Sequence, residues 1–207
     1  MTLIYLIRHG HNQYVEKGKL AGRLPGVHLS ERGRAQAEKL AELLAGVKLK
    51  AIYASPLDRT METAEPIARA SGLKVLPNQG LLEMDCGTWE GKSLKSLRRR
   101  KLWPVIQSAP SLASFPEGES FSEAQARIVA ELEILRQKHH RKKAVIACVF
   151  HSDPIKLAVA HYLGLPLDMF QKIVVEPASI NILAVGAKHA RLVRLNDTRA
   201  TYIDKTG

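Results

Sequence analysis

The chain has 207 residues, of which 45% are hydrophobic and 25% charged. That length suits one buried core, and the composition excludes a disordered chain. The formal charge of +11, from 31 Lys and Arg against 20 Asp and Glu, leaves three partners open: a nucleic acid, an anionic surface or a small anionic substrate. Two cysteines, Cys86 and Cys148, are too few for a disulfide framework or a Cys-built zinc site. The longest apolar run, residues 144–150, is too short to cross a bilayer. Met1-Thr2-Leu3-Ile4-Tyr5 lacks the basic-then-apolar layout of a signal peptide, so a cytoplasmic protein with no membrane partner is expected.

Strands and helices alternate along the chain, the pattern of an α/β domain with a largely parallel sheet. Residues 3–7 are an apolar run that ends in a polar cluster, a buried first strand. Ser30 reads as an N-cap, with Ala37, Leu40, Ala41 and Leu44 on one face of the helix beyond it. Gly46 reads as the end of that helix. Residues 51–54 are a second strand. Ser55-Pro56 reads as the cap and first-turn proline of the next helix, with a kink or break at Pro66. Residues 74–76 suit a third strand.

Residues 82–118 are the least regular segment. They hold Trp89, Trp103 and the basic run Arg98-Arg99-Arg100-Lys101. From about residue 84 this segment is expected to form a lid-like insertion within one domain spanning 1–207, with both tryptophans packing in the core or lid. Ser120-Phe121-Ser122-Glu123 is a capping box for a helix to about residue 138. His139-His140-Arg141-Lys142-Lys143 follows, where cations suit a helix C-terminus. Residues 144–149, with Cys148, read as the central strand. His151-Ser152-Asp153-Pro154 turns into a helix that ends near Gly164, with Ser152 and Asp153 as capping residues. Residues 179–185 and 191–195 form an antiparallel hairpin at a sheet edge, and the polar tail after Asn196 is expected to be loose.

Three strands thus end in Arg8-His9-Gly10, in Ser55-Pro56-Leu57-Asp58-Arg59 and in His151-Ser152-Asp153. Open α/β sheets bind ligands outside the carboxyl ends of their strands. Parallel pairing would bring His9, Arg8, Arg59 and His151 together there. Two imidazoles beside two guanidiniums are wrong for a metal and right for a phosphoryl group, whose oxygens accept paired guanidinium hydrogen bonds.

These residues carry a resemblance. Leu6-Ile7-Arg8-His9-Gly10 resembles the signature of the histidine phosphatase superfamily, the phosphoglycerate-mutase-like proteins. The similarity continues through Gly22-Arg23-Leu24-Pro25-Gly26, Leu29-Ser30-Glu31-Arg32-Gly33, Ser55-Pro56-Leu57-Asp58-Arg59-Thr60 and Thr63-Ala64. It then takes in Leu82-Glu83, Gly87-Thr88-Trp89-Glu90-Gly91, Pro116-Glu117-Gly118-Glu119-Ser120 and His151. The series looks most like a bacterial branch labelled probable phosphoglycerate mutase or phosphomutase. The resemblance implies a three-layer α/β/α phosphoglycerate-mutase-like fold with a mostly parallel sheet and an antiparallel edge. It implies His9 as the nucleophile that becomes phosphohistidine, with Arg8, Arg59 and His151 completing the phosphate pocket. Glu83 matches the general acid, although Asp85 and Glu90 are nearby carboxylates. No metal is implied, and no cofactor unless the chain is a mutase that uses 2,3-bisphosphoglycerate.

The sequence departs from the pattern at four places. His11 and Asn12 stand where many members carry Glu or Gln and then Ser or Thr. Asn12 still offers a donor and is a further phosphate-binding candidate. Val15 stands where mutases and many phosphatases have a phosphate-binding asparagine, and Ser152 replaces a usual glycine. The insertion is also shorter than that of dedicated glycolytic mutases. Hydrolysis of a small phosphomonoester is therefore expected, with a 2,3-bisphosphoglycerate-dependent phosphoglycerate mutase as the alternative. A catalytically weak anion- or nucleic-acid-binding protein is the alternative of another class. Nucleic acid is not the expected partner, because the basic residues are scattered and not interleaved with aromatics. The oligomeric state is left open.

Overall fold

A computed structural model of the chain describes residues 1–140 and 144–200. The first strand, β1, runs over Thr2–Arg8, and a one-turn helix α1 over Gln13–Glu16. Helix α2 covers Glu31–Leu44. Its N-cap is Ser30, whose hydroxyl accepts from the Gly33 N–H. Its C-cap is Ala45, so Gly46 lies beyond the helix end. Strand β2 is Ala51–Ala54 and helix α3 is Asp58–Ser71. Leu57 is the N-cap of α3 and no side chain caps it. Ser55 is therefore not a cap, a correction whose reason lies in the active site. Pro66 does not break α3, which continues to Ser71.

Strand β3 is Val75–Pro77, followed by the short helices α4, Leu94–Leu97, and α5, Leu102–Ser108. Helix α6, Phe121–Lys138, opens on the Ser120–Glu123 capping box. Strand β4 is Val145–Phe150 and helix α7 is Ser152–Tyr162. Gly164 just past α7 takes a left-handed φ of 67°, which suits a glycine. Strands β5, Ile180–Val185, and β6, Ala190–Asp197, finish the sheet. Residues 141–143 of the basic run and 201–207 of the tail lie outside the described residues. The tail is not loose where it is described: Asp197 pairs with Arg194 and Arg199, and Ala200 is buried.

Among the described residues, six strands form one sheet in the order β3-β2-β4-β1-β5-β6. The first four are parallel, and β5 pairs antiparallel with both β1 and β6. Alternation along each strand divides the core in two. On β4, Ile146, Cys148 and Phe150 pack with α6, α7 and the 84–118 segment, while Ala147 and Val149 face α2 and α3. The result is a three-layer α/β/α sandwich. Trp89, Leu97, Ile106 and Phe115 of the 84–118 segment are buried in the first of these cores, and Trp89 stacks on Trp103 at 6.4 Å. Parallel pairing of Arg8 with Phe150 and of Ala54 with Val149 places the carboxyl ends of β1, β2 and β4 side by side. No helix among the described residues is long and apolar enough to cross a membrane.

Candidate active site

The site forms at those three strand ends. His9 leaves β1 but stays in the ladder: its N–H donates to Phe150 O at 3.0 Å, and its carbonyl accepts from Ala178 N at 3.1 Å. Its ring is oriented by a second contact, Nδ1 to Gly10 O at 2.8 Å. A carbonyl only accepts, so Nδ1 carries the proton and Nε2 carries the lone pair. His151 begins the turn after β4 and is the backbone N-cap of α7 with a side chain that caps nothing. Neither Ser152 nor Asp153 acts as the cap expected. Ser152 is the first helical residue and Asp153 pairs with Lys156.

The His151 ring has its own tautomer. Nδ1 lies 3.3 Å from Arg59 Nη2, and Nε2 lies 2.9 Å from Ser55 Oγ. A guanidinium only donates, so Nδ1 accepts and Nε2–H points to the serine. This is why Ser55 does not cap α3: its hydroxyl faces the imidazole across the sheet end. The two rings meet edge to face with centroids 5.3 Å apart. Burial is the main influence that holds both imidazoles well below the ordinary histidine pKa, and the Arg59 and Arg8 charges act in the same direction. Both rings are therefore neutral near pH 7.

The guanidiniums approach from two sides. Arg59, in the first turn of α3, is 1% exposed, and its Nη2 donates to Gly22 O at 2.7 Å. Arg8 Nη1 donates to Val175 O at 2.7 Å. Arg8 Nε, Arg59 Nε and Arg59 Nη1 are buried and have no hydrogen-bond partner. Each such orphan costs on the order of 1–3 kcal/mol or more, because its water has been stripped without replacement. Thus two guanidiniums that carry unpartnered N–H donors share one cavity with an imidazole whose Nε2 lone pair is free.

Glu83 stands opposite on the irregular segment after the turn at Gln79–Leu81. Its Oε1 accepts from Met84 N at 2.9 Å, and its Oε2 lies 3.8 Å from His151 Nδ1. Burial, then the Asp153 charge, push its carboxyl up to about 7 against the opposing pull of Arg59 and Arg8. Arg8, His9, Asn12, Arg59, Glu83 and Asp153 share a cavity of about 290 Å³. Its wall is Tyr14, Val15, Leu20 and Leu94, with Lys19 and Ser152 also lining it.

The sequence candidates sort as follows. Arg8, His9, Arg59 and Glu83 line the cavity, and His151, fully buried, sits behind it against Arg59 and Glu83. Asn12 lines it as the N-cap of α1, its Oδ1 accepting from Tyr14 N and Val15 N, which leaves its amide N–H₂ as the donor end. The competing carboxylates are used elsewhere. Asp85 pairs with Arg23, and Glu90 accepts from Arg23 N. His11 turns away to Ser30, 2.9 Å from its hydroxyl, and lines a separate groove. The Arg98–Lys101 run is exposed and lines no part of the cavity. Sequence reasoning missed the Ser55 hydroxyl, the Gly22 carbonyl and Asp153 as site groups. The position of Ser55 at a strand's carboxyl end was the available signal.

The sequence pattern of the histidine phosphatase superfamily (branch 1) matches residues 4–198. Phosphoserine phosphatase 1 of Hydrogenobacter thermophilus is 30% identical over 203 residues, 96% of this chain and 93% of that protein. A 2,3-bisphosphoglycerate-dependent phosphoglycerate mutase of Thermoplasma acidophilum is 27% identical over 89% of this chain and 88% of its own. Among solved structures, a phosphoserine phosphatase of Entamoeba histolytica in complex with 3-phosphoglyceric acid superposes with a TM-score of 0.88. It is 27% identical and covers 98% of this chain and 100% of its own.

Proposed function

The chain belongs to the histidine phosphatase superfamily, and from that premise we propose that its cavity hydrolyses a small phosphomonoester with His9, Arg8, Arg59, His151 and Glu83 as the working groups. Membership makes it a phosphoryl-transfer enzyme that works through a phosphohistidine. The observation that carries the assignment is that guanidiniums with unpartnered N–H groups share one cavity with a neutral His9 whose Nε2 is free.

Phosphoryl oxygens supply the acceptors that Arg8 and Arg59 lack, and the fixed cations offset charge that builds on those oxygens. His9 Nε2 attacks phosphorus in line. The N–P bond forms as the P–O bond to the alcohol breaks. Glu83, whose carboxyl is pushed up to about 7 by burial and the Asp153 charge, gives its proton to the leaving oxygen. It then takes a proton from the water that attacks the phosphohistidine, and the N–P bond breaks. Asn12 supplies a further amide donor. No metal or cofactor enters these steps.

Hydrolysis is favoured over mutation by what lines the rest of the cavity. Arg8 and Arg59 are committed to one phosphoryl group. Beyond them the lining holds one lysine, Lys19, against the carboxylate Asp153, with an apolar wall. A second phosphate of a bisphosphoglycerate finds little to pair with there. We place the enzyme in the cytoplasm, as one domain spanning 1–207, acting on small soluble phosphate esters and not on nucleic acid. A turnover panel of phosphate esters, with and without 2,3-bisphosphoglycerate, tests this. Release of phosphate and an acid-labile label on the protein are expected, both abolished in His9→Ala. Full activity in that variant would refute the mechanism. Isomerisation of 3-phosphoglycerate stimulated by the bisphosphate would make it a mutase.

A further inference from the structure

The pocket chemistry leaves without a role Arg23, next to the Gly22 carbonyl that holds Arg59, and the motif Pro116-Glu117-Gly118-Glu119-Ser120. The fold brings them together behind Glu83. Arg23 Nε donates to the Glu83 carbonyl oxygen at 2.8 Å, and Arg127 Nη2, from α6, reaches the same oxygen at 3.4 Å. One carboxylate holds both guanidiniums. Glu119 Oε1 accepts from Arg127 Nε at 2.8 Å, and Oε2 accepts from Arg127 Nη2 at 2.9 Å and Arg23 Nη2 at 3.2 Å. Arg127 Nη1 also donates to Gly80 O and Leu82 O, at 2.9 and 3.0 Å.

The backbones are locked as well. Glu119 N donates to Asp85 O at 2.9 Å, and Thr88 N to Pro116 O at 3.0 Å. A Cβ at Gly118 would strike the Asp85 carbonyl, and one at Gly87, where φ is +49°, would strike that of Pro116. Both loops therefore need glycine to lie this close. The Glu119 side chain is 13% exposed, so its pairs with the arginines are shielded and stronger than a surface ion pair.

None of Arg23, Glu119 and Arg127 lines the cavity. They grip the main chain that carries the acid. We propose that Glu119, acting through Arg23 and Arg127, is a positioning residue that sets the Glu83 carboxyl at the leaving-group oxygen. Glu83 lies in no helix or strand, so nothing regular fixes its backbone. Proton transfer needs the acid within about 3 Å of the leaving oxygen. Planar guanidinium forks tied to one carboxylate supply that rigidity. The inference rests on the reading of Glu83 as the general acid.

The leaving group separates positioning from mere folding. An alkoxide needs a proton as it departs, whereas p-nitrophenolate needs almost none. The readout is the first-turnover rate, before the phosphohistidine is hydrolysed, on glycerol phosphate and on p-nitrophenyl phosphate. Glu119→Gln is expected to slow the first at least about tenfold more than the second, with KM changed by less than about threefold. Equal losses on both substrates, or no loss, would overturn the proposal. If Glu119→Gln fails to fold, Arg127→Lys keeps the charge but loses the fork. It must then show the same split, and its absence overturns the proposal equally. Glu83→Gln is the reference. No split in that variant defeats the acid assignment itself, and the positioning role with it. A split there but not in Glu119→Gln defeats the positioning role alone.

Discussion

Glu83 must hold a proton at the pH where His9 must not. Burial acts on both groups and moves them in opposite directions, because it disfavours whichever form is charged: the carboxylate rises to about 7 and the imidazole falls well below its usual value. Transfer to an alkyl phosphate therefore needs pH above the His9 pKa and below that of Glu83. The basic limb is the observable one, with kcat/KM falling about tenfold per pH unit once Glu83 is ionised. Asp153, after burial, is the largest influence that raises the Glu83 carboxyl. Removing that negative charge stabilises the carboxylate, so Asp153→Asn is expected to move the basic limb to lower pH. Of the other charged and titratable groups around Glu83, namely Arg8, Arg59, His9, His151, Lys19, Arg23 and Arg127, all are unchanged in that variant. A limb that stays in place or moves up, in pH profiles of the two proteins, would contradict this account.

At the scale of elements, the loop that carries His9 is seated on the first turn of α2. Two glycines make the seat. A Cβ on Gly33 would collide with the backbone of His11, and one on Gly10 would press on the Gly33 carbonyl at 2.7 Å. Helix propensity alone predicts that Gly33→Ala stabilises α2 by about 1 kcal/mol. The packing predicts the opposite sign. The atoms it meets are backbone and cannot swing aside, so a net loss of about 2 kcal/mol is expected. Activity should fall with it, because the residues following His9 are displaced. Urea denaturation measures the first effect; a variant as stable as the parent would show that the seat is looser than the geometry says. The same scale explains Ser30, which caps α2 and also meets the His11 ring.

For the molecule as a whole, the question is where the +11 charge acts. Arg8 and Arg59 are spent in the pocket, and Arg23 and Arg127 behind it. The Arg98–Lys101 run is exposed and apart from the cavity. Such charges attract anions over distances comparable to the Debye length, an effect on encounter and not on chemistry. Raising ionic strength from about 20 to about 300 mM is expected to lower kcat/KM several-fold and leave kcat nearly constant. Replacing Arg98, Arg99, Arg100 and Lys101 by serine should keep kcat and flatten that salt dependence. A fall in kcat would mean that the run reaches the reacting groups.

The sequence alone determined the layers, because hydrophobic periodicity and capping are local. The β4 run, the Ser30 cap and the Ser120–Glu123 capping box stand where their patterns placed them. It also nominated the phosphate pocket, since parallel strands must end on one side. Three matters were decided only by the tertiary structure. Ser55 faces His151 instead of capping α3. Glu83 reaches the cavity while Asp85 and Glu90 are held by Arg23. Glu119 ties Arg23 to Arg127. The physical reason is common to all three. A buried hydroxyl, carboxylate or guanidinium takes the partner that desolvation leaves within reach. That partner belongs to a segment distant in sequence, so no local pattern announces it.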